Sequence, residues 1–471
     1  MKQNNSAIDF ARKILPLTVA VAFFMNSLDA FVLNVAVPTI ANAFNQPPLR
    51  LKLAITTYLL SMGVFIPVSG WLADRFGSRN IFGFAIFLFG LGSLACGFSQ
   101  NIFELVIARL IQGVGGAMML PVGRLILNQV FPRSEIFKLM AMIAMIGLLG
   151  PAAGPVLGGI IITYTSWRWI FLINIPFVII GLVLVAYYVP NLKSENIKKL
   201  DWIGFILVGL GIACLGFGFS ALGQQALPIF PELLLILFGI VFILLYYFHQ
   251  KNRQHPFINK SIFKIPSYKI AIIGTTNFRI STVSVSFLIA LMCQLALNLS
   301  PLKTALILTP FPLGLIASKP FLQRIVGRIG LRKLLVFNTF IVSFFLLMFS
   351  LLNPSGHLYL LLITLFLYGV SLSFQNTSLQ TLNVVNAKPE LLSQMISFAN
   401  AMQQLTSSFS IAISALFLEL FYYLNNSHFS INEFHHVFLI NAFIILFSAI
   451  SFSKLRAQDG QELLGHHNNK K

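Results

Sequence analysis

The stretch Gly70-Trp71-Leu72-Ala73-Asp74-Arg75-Phe76-Gly77-Ser78-Arg79-Asn80 decides the fold. It is a short charged break, bounded by glycines, between two apolar runs at 52–72 and 81–99. Each run is long enough to cross a hydrocarbon core, which takes about 20 residues of helix. Outward from that break, further apolar runs fall at 14–37, 103–127, 138–164, 168–189, 202–221, 229–248, 268–292, 302–323, 333–352, 357–383, 391–419 and 434–453, bringing the total to fourteen. Fourteen spans would use about 280 positions, close to the 57% apolar share of the 471 residues. Charged residues make up only 10% of the chain, against roughly 25% in an ordinary soluble domain, and the mean hydropathy is +0.84. Lipid must therefore be the solvent of the outer face. A soluble enzyme, a secreted disulfide scaffold and a disordered chain are excluded.

The formal charge of +19 raises nucleic acid as a partner, but Lys and Arg sit in short segments between apolar runs and not on one folded face. With the amino terminus inside, the outer loops hold only Arg50, Lys52, Arg168 and Lys303, and Arg109, Arg124, Arg279 and Lys319 fall within runs. The other 24 of the 32 basic residues lie in inner segments. That is the positive-inside pattern, and it predicts both termini in the cytoplasm and no nucleic-acid partner. Cys96, Cys214 and Cys293 all lie inside apolar runs, so disulfides are not expected. The first run follows Lys2, Arg12 and Lys13 and lacks a small-residue exit, so it reads as a span and not a cleaved signal.

A faint internal repeat is present. Asp74-Arg75-Phe76-Gly77-Ser78-Arg79-Asn80 follows the second run, and Gly327-Arg328-Ile329-Gly330-Leu331-Arg332-Lys333 follows the tenth, keeping Arg, Gly and Arg in register without the acid. The predicted organisation is a six-helix bundle at 1–190, two accessory helices with basic flanks at 191–265, a second six-helix bundle at 266–455 and a cytoplasmic tail at 456–471. Repeats of this kind place a solute site near the midplane between the halves.

Five local patterns point to one family. They are Leu28-Asp29-Ala30-Phe31-Val32-Leu33-Asn34-Val35-Ala36-Val37-Pro38 in the first run, Gly70 to Arg79 after the second, and Arg109-Leu110-Ile111-Gln112-Gly113-Val114-Gly115-Gly116 in the fourth. Gly150-Pro151-Ala152-Ala153-Gly154-Pro155-Val156-Leu157-Gly158-Gly159 follows in the fifth, and Trp167-Arg168-Trp169-Ile170-Phe171-Leu172-Ile173-Asn174-Ile175-Pro176 opens the sixth. Together they resemble the motifs of the major facilitator superfamily, in its fourteen-helix drug:proton antiporter family (EmrB/QacA type), nearest to the MdtD/HsrA-like branch. The resemblance is dense from residue 20 to 180 and weaker afterwards. It implies an all-α polytopic membrane protein of 6 + 2 + 6 helices in a bacterial cytoplasmic (inner) membrane, monomeric, exporting a small-molecule substrate in exchange for protons.

Each motif has a physical reading and a plainer one beside it. Gly70 and Gly77 allow close approach and a tight turn, and Asp74 with Arg75 and Arg79 can pair across helix ends. The resemblance makes this a conformational latch; otherwise it is a topogenic loop with a capping Asp. Gly150, Gly154 and Gly158 recur every fourth residue, so another helix can approach that face closely, with Pro151 and Pro155 adding kinks and Gly159 following. A partner in the other half would seal a leak path, which the resemblance associates with antiport; ordinary helix packing is the alternative.

Asp29 is the one acid deep within a run. Counting 1.5 Å per residue, it lies about 22 Å above the inner end of its run. Arg109 comes out about 20 Å above the inner face of a core roughly 30 Å thick. The matched depths allow a pair, with Asp29 as proton site and Arg109 as switchable partner; a fixed structural pair, or an Asp29 that caps an irregular turn beside Asn26 and Asn34, is the alternative. Lys319 and Arg124 lie near run ends and can snorkel, whereas Arg279 sits near mid-depth with no acid at its level in the second half. Asn34, Arg279, Gln375, Asn376 and Gln403 are the candidate cavity residues. Four basic residues and one acid within the runs favour an anionic solute. Glu433, His435 and His436 form a short run without a further metal ligand, and no nucleotide loop or Ser-His-Asp set is present. No cofactor, metal or enzymatic activity is expected. The reading is a proton-coupled exporter working by alternating access. A proton-coupled uptake symporter or uncoupled facilitator is the first alternative. A non-transporting sensor or scaffold is the second, opposed by a tail of only about 17 residues after Lys454.

Overall fold

In hydrocarbon a backbone amide has no partner except another backbone group, so each apolar run closes into a helix. The computed structural model describes residues 2–193, 199–222, 229–253, 256–384, 389–425 and 429–456. Among these residues it contains helices and no strand. Fourteen helices are long and apolar enough to cross a membrane: α1 (Ile14–Ala43), α2 (Pro48–Phe76), α3 (Ser78–Phe98), α4 (Ile102–Val130), α5 (Lys138–Tyr164), α6 (Trp169–Tyr188), α7 (Trp202–Ala221), α8 (Phe230–His249), α9 (Pro266–Ala296), α10 (Pro301–Leu322), α11 (Leu331–Leu351), α12 (Gly356–Leu382), α13 (Leu391–Leu424) and α14 (Ile431–Ser453). The expected tail beyond Arg456 lies outside the described residues.

Hydropathy finds the part of a helix that lipid covers, while the helix itself continues to its breaker. The first run was expected to end at 37, but α1 continues to Ala43 and stops where Asn45 takes a positive φ of 51°. Several helices are also interrupted inside the bilayer length. α10 breaks at Thr309 and Ser318, ahead of Pro310 and Pro320. α6 breaks at Ile173, three residues ahead of Pro176, whereas α9 breaks at Val283–Ser284 with no proline near it.

The chain divides into two units, Met1–Ala221 with Leu227–Phe257, and Leu222–Ala226 with Ile258–Lys471. In the first unit the glycine face of α5 meets α1 of the same unit. A Cβ at Gly150 would sit 2.7 Å from the Leu28 amide nitrogen, and one at Gly154 would sit 3.1 Å from the Phe31 Cβ and 3.3 Å from the Leu28 carbonyl oxygen. Gly158 faces Val32 in the same way, while the Gly159 carbonyl accepts the Thr163 hydroxyl at 2.6 Å and Pro155 is buried beside it. The glycine spacing is thus accounted for by packing on the helix that carries Asp29.

The loop after α2 and the loop after α10 turn in the same way. Gly77 and Gly330 have φ of 98° and 80°, and each donates its amide to the carbonyl four residues earlier, Ala73 or Val326, at 2.9 Å. That left-handed conformation favours glycine, and it gives the faint sequence repeat a shared backbone.

The accessory helices α7 and α8 belong to the first unit. α7 lies on α2 through the Trp71–Trp202 and Phe65–Phe205 ring pairs, with centroids 5.4 and 5.6 Å apart, and Ser220 Oγ donates to Thr56 Oγ1 at 3.2 Å. Asp201 ties their ends together. Its carboxylate accepts from the Gly204 amide at 3.0 Å and the Phe257 amide at 3.3 Å, and it bonds His249 Nε2 at 2.8 Å. Burial pushes the Asp201 carboxyl up, but the hydrogen bonds from His249, Gly204 and Phe257 outweigh it and hold it below the ordinary carboxylate range.

Two measurements test these contacts. Gly154→Leu should lower the melting temperature, because overpacking a tight interface costs about 1–3 kcal/mol, whereas Gly70→Ala should not lower it, since within its own unit a Cβ there meets no atom within 4 Å and alanine is the better helix former. The depressed Asp201 value means its stabilisation is full at neutral pH and is lost as pH falls through the folded value. Asp201→Asn should therefore melt below wild type near pH 7, and the gap should close as the pH is lowered below the ordinary carboxylate range.

Candidate functional site

Charge is scarce inside the first unit, so the position of its one deep carboxylate governs the rest. α1 runs unbroken through Asp29, which rules out a capping role for that side chain. α4 presents Arg109 to it, and the two side chains form an ion pair with Arg109 Nη1 donating to Asp29 Oδ2. Both residues are 1% exposed. An isolated charge at that depth is costly, and a pair is tolerated only when its remaining lone pairs and protons are also satisfied.

The surrounding helices supply those partners. Gln112, one turn after Arg109 on α4, bridges the pair: its Oε1 accepts from Arg109 Nη1 at 2.7 Å and its Nε2 donates to Asp29 Oδ1 at 2.9 Å. Asn174 of α6 donates to Asp29 Oδ1 at 3.5 Å and to Ser93 Oγ of α3 at 3.1 Å. Ser93 in turn donates to the Phe171 carbonyl at 2.9 Å. On the far side, Arg109 Nε donates to the Ala54 carbonyl of α2 at 3.4 Å, and its guanidinium lies 4.0 Å from the Tyr58 ring centroid. Tyr58 donates its hydroxyl to Asn26 of α1. Five helices of one unit therefore converge on a single charged pair.

Chemically, this arrangement can hold one proton in two ways. With Asp29 ionised, Arg109 neutralises it. With Asp29 protonated, the guanidinium still has Gln112 Oε1, the Ala54 carbonyl and the Tyr58 ring, so it need not move into lipid. Sequence reasoning found the two charges and missed their escort. Gln112 was within reach, being three residues from Arg109 and so on the same helix face; Asn174 stood inside a quoted motif without an assigned role. Tyr58 carried no signal.

The other candidate residues are placed apart from this network. Asn34 is buried on α1, five residues beyond Asp29. Gln375 is fully buried inside the second unit, where its Oε1 accepts from Asn338 Nδ2 at 2.8 Å and its Nε2 faces the Leu335 carbonyl at 3.4 Å, so it joins α12 to α11. Asn376 and Gln403 are half-buried. Arg279 of α9 donates from Nη2 to Ser407 Oγ of α13 at 2.7 Å. Lys319 donates to Thr377 at 3.0 Å. In the loop after α2, Asp74 and Arg79 are half-buried and Arg75 is exposed, 6.0 Å from the Trp71 ring centroid; Gly77 turns the chain against the Asn191 carboxamide. Glu433 caps α14 through Ser430 and accepts from Asn425 at 2.5 Å, and His435 Nε2 lies 3.1 Å from the Leu352 carbonyl, which accounts for that polar run.

Removing one partner of a buried pair strands the other charge, at about 3–5 kcal/mol, whereas removing both is far cheaper. Arg109→Gln should therefore lower the melting temperature of the purified protein strongly, and Asp29→Asn combined with Arg109→Gln should restore much of the loss. Additive losses in that cycle would mean the two side chains do not interact.

Comparison with known proteins agrees with this architecture. The model of the Major Facilitator Superfamily matches residues 19–411 and 270–466. A multidrug resistance protein named MdtD in Salmonella typhi is 36% identical over 454 residues, covering 95% of each chain, and the Salmonella heidelberg counterpart is 35% identical over the same length. Among solved structures, a bacterial homologue of the human lysosomal transporter Spinster, in an inward-facing unoccupied conformation, superposes with a TM-score of 0.69 at 12% identity, covering 94% of this chain and 96% of that one. A D-xylose–proton symporter does so with a TM-score of 0.65 at 13% identity, covering 91% and 96%. At such identities the structural likeness speaks for the fold alone, but the family match and the relatives span nearly the whole chain. The chain belongs to the major facilitator superfamily, a family of membrane transporters and not of enzymes.

Proposed function

We propose that this transporter is a proton-coupled exporter of small organic molecules, of multidrug type, in which Asp29 carries the proton and Arg109 is its switchable partner. The observation that carries the proposal is the fully buried Asp29–Arg109 pair with its bridging Gln112. Both groups are closed off from water, so a proton reaches Asp29 only when α1 and α4 move apart. Once it arrives, the attraction between the helices falls, because a neutral acid no longer holds the guanidinium. Protonation and helix separation are then thermodynamically linked, and each favours the other. A solute binding the separated state would draw on the same linkage, which is alternating access driven by a proton gradient.

In this reading Gly70, Asp74, Arg75, Gly77 and Arg79 form the latch that biases the resting state, and the α5 glycines set how closely α1 can pack as the pair opens and closes. The working unit is a monomer in the bacterial inner membrane, with both termini in the cytoplasm; the excess of 24 basic residues in the inner segments over four in the outer loops supports that orientation.

Inverted vesicles under an imposed pH gradient test the direction and the coupling together. An acid interior should drive solute accumulation in the wild type, and Asp29→Asn should abolish the gradient-dependent part while the protein stays folded in the membrane. Undiminished gradient-driven transport by Asp29→Asn would remove that residue from the mechanism. Accumulation driven by an acid exterior would make the protein a symporter.

A further inference from the structure

Two arginines of the bilayer-embedded part of the chain, Arg109 and Arg279, are treated in opposite ways. Arg109 has a carboxylate, a carboxamide, a carbonyl and an aromatic ring around it. Arg279 lies 13 residues into α9, about 20 Å along the helix from its start at Pro266. Among the described residues it forms one hydrogen bond, from Nη2 to Ser407 Oγ, and its buried Nε meets no acceptor. No carboxylate of the second unit forms an ion pair with it among those residues. The acid on the facing helix, Glu419, lies twelve residues beyond Ser407, about 18 Å along α13.

The neighbourhood of the guanidinium is polar and oriented. Ser407 donates its own hydroxyl to the Gln403 carbonyl at 2.7 Å, so its oxygen is left to accept from Arg279. Asn400, Gln403, Gln404 and Ser407 are spaced three and four apart and so share one face of α13, and the first three are only partly buried. A guanidinium with free donors presents a planar fork suited to two oxygens of a carboxylate or sulfonate. Arg279 is half-buried with its Nε shut off from water; a cation at that depth without a counter-ion is unfavourable, and the deficit is removed when a ligand brings the missing charge.

We infer that Arg279, with Ser407 and the Asn400–Gln403 face of α13, is an anion-binding subsite of the second unit, and that the transported solute carries a carboxylate or sulfonate which this arginine clamps. The inference rests on the export reading above and names the solute class for it. The division of labour is then simple. The first unit neutralises Arg109 internally and handles the proton; the second leaves Arg279 open and handles the solute.

The test uses purified full-length protein in nanodiscs of zwitterionic lipid, with succinate, benzoate, benzenesulfonate and tetraphenylphosphonium as probes, read by calorimetric titration. At least one anion should bind wild type, and Arg279→Gln should weaken it by at least about tenfold, as expected for loss of a hydrogen bond to a charged group. Arg279→Lys should recover part of the affinity, and Ser407→Ala should weaken binding less than Arg279→Gln. Repeating the titration with anionic lipid in the nanodisc separates a free anion from a headgroup: competition by lipid alone, with no anion probe binding in zwitterionic discs up to about 10 mM, would overturn the proposal, as would unchanged anion affinity in Arg279→Gln or tighter binding of tetraphenylphosphonium than of every anion. Asp29→Asn should keep anion binding while losing gradient-driven transport. A failed Arg279 arm beside an inactive Asp29→Asn would thus remove the subsite and leave the coupling scheme standing.

Discussion

One ion pair, Asp29 with Arg109, constrains the first unit more than any other contact. Apolar burial fixes no orientation among helices that are already solvated by lipid, since hydrocarbon and leucine are alike to one another. A buried charge pair does fix orientation, because every displacement that opens it strands two ions in a medium that cannot solvate them. α1 must present Asp29, α4 must present Arg109 and Gln112, α6 must bring Asn174, and α2 must lay Tyr58 over the guanidinium. The glycine face of α5 then lets that helix lie close against the backbone of α1 around Leu28 and Val32, adjoining the carboxylate itself. The same feature that holds the bundle together is the one a proton would release.

The second unit solves its interior differently. Where the first has a charged network, the second has neutral ones: Asn338 and Gln375 between α11 and α12, and Ser284, Ser410 and Ser414 across the break in α9. Tyr368 of α12 donates its hydroxyl to the Thr282 carbonyl at 3.0 Å, satisfying one of the backbone oxygens at that break. Gly77 and Gly330 retain the same turn, so the two units share a backbone device while differing in charge. A repeat that keeps its turns and diverges in its buried polar groups divides proton and solute chemistry between units more readily than one that keeps both.

Much of this was legible in the sequence. Runs of about 20 residues that are apolar and poor in charge specify a count of helices, because the bilayer leaves the backbone no other option. That Asp29 and Arg109 could pair was legible from depth, since helices of fixed rise crossing a slab of fixed thickness turn residue numbers into heights. What depth cannot give is azimuth. Gln375 has the right height for a cavity and instead faces α11; the α5 glycines have the right spacing for any close neighbour and meet α1. The break at Val283 was illegible for another reason: no proline stands near it, and the hydroxyls of Tyr368 and Ser410 from neighbouring helices satisfy its backbone groups.

The central claim is that the carboxylate at residue 29 changes its protonation state within the folded protein. Infrared difference spectroscopy on protein with isotope-labelled aspartate, recorded in membranes with and without an imposed proton gradient, observes that step directly. A gradient-dependent carboxyl band should appear in the wild type, disappear in Asp29→Asn and shift in Gln112→Ala, which removes a donor from the same carboxylate. A residue 29 carboxylate that stays ionised throughout, with the gradient-dependent band intact in Asp29→Asn, would contradict the claim.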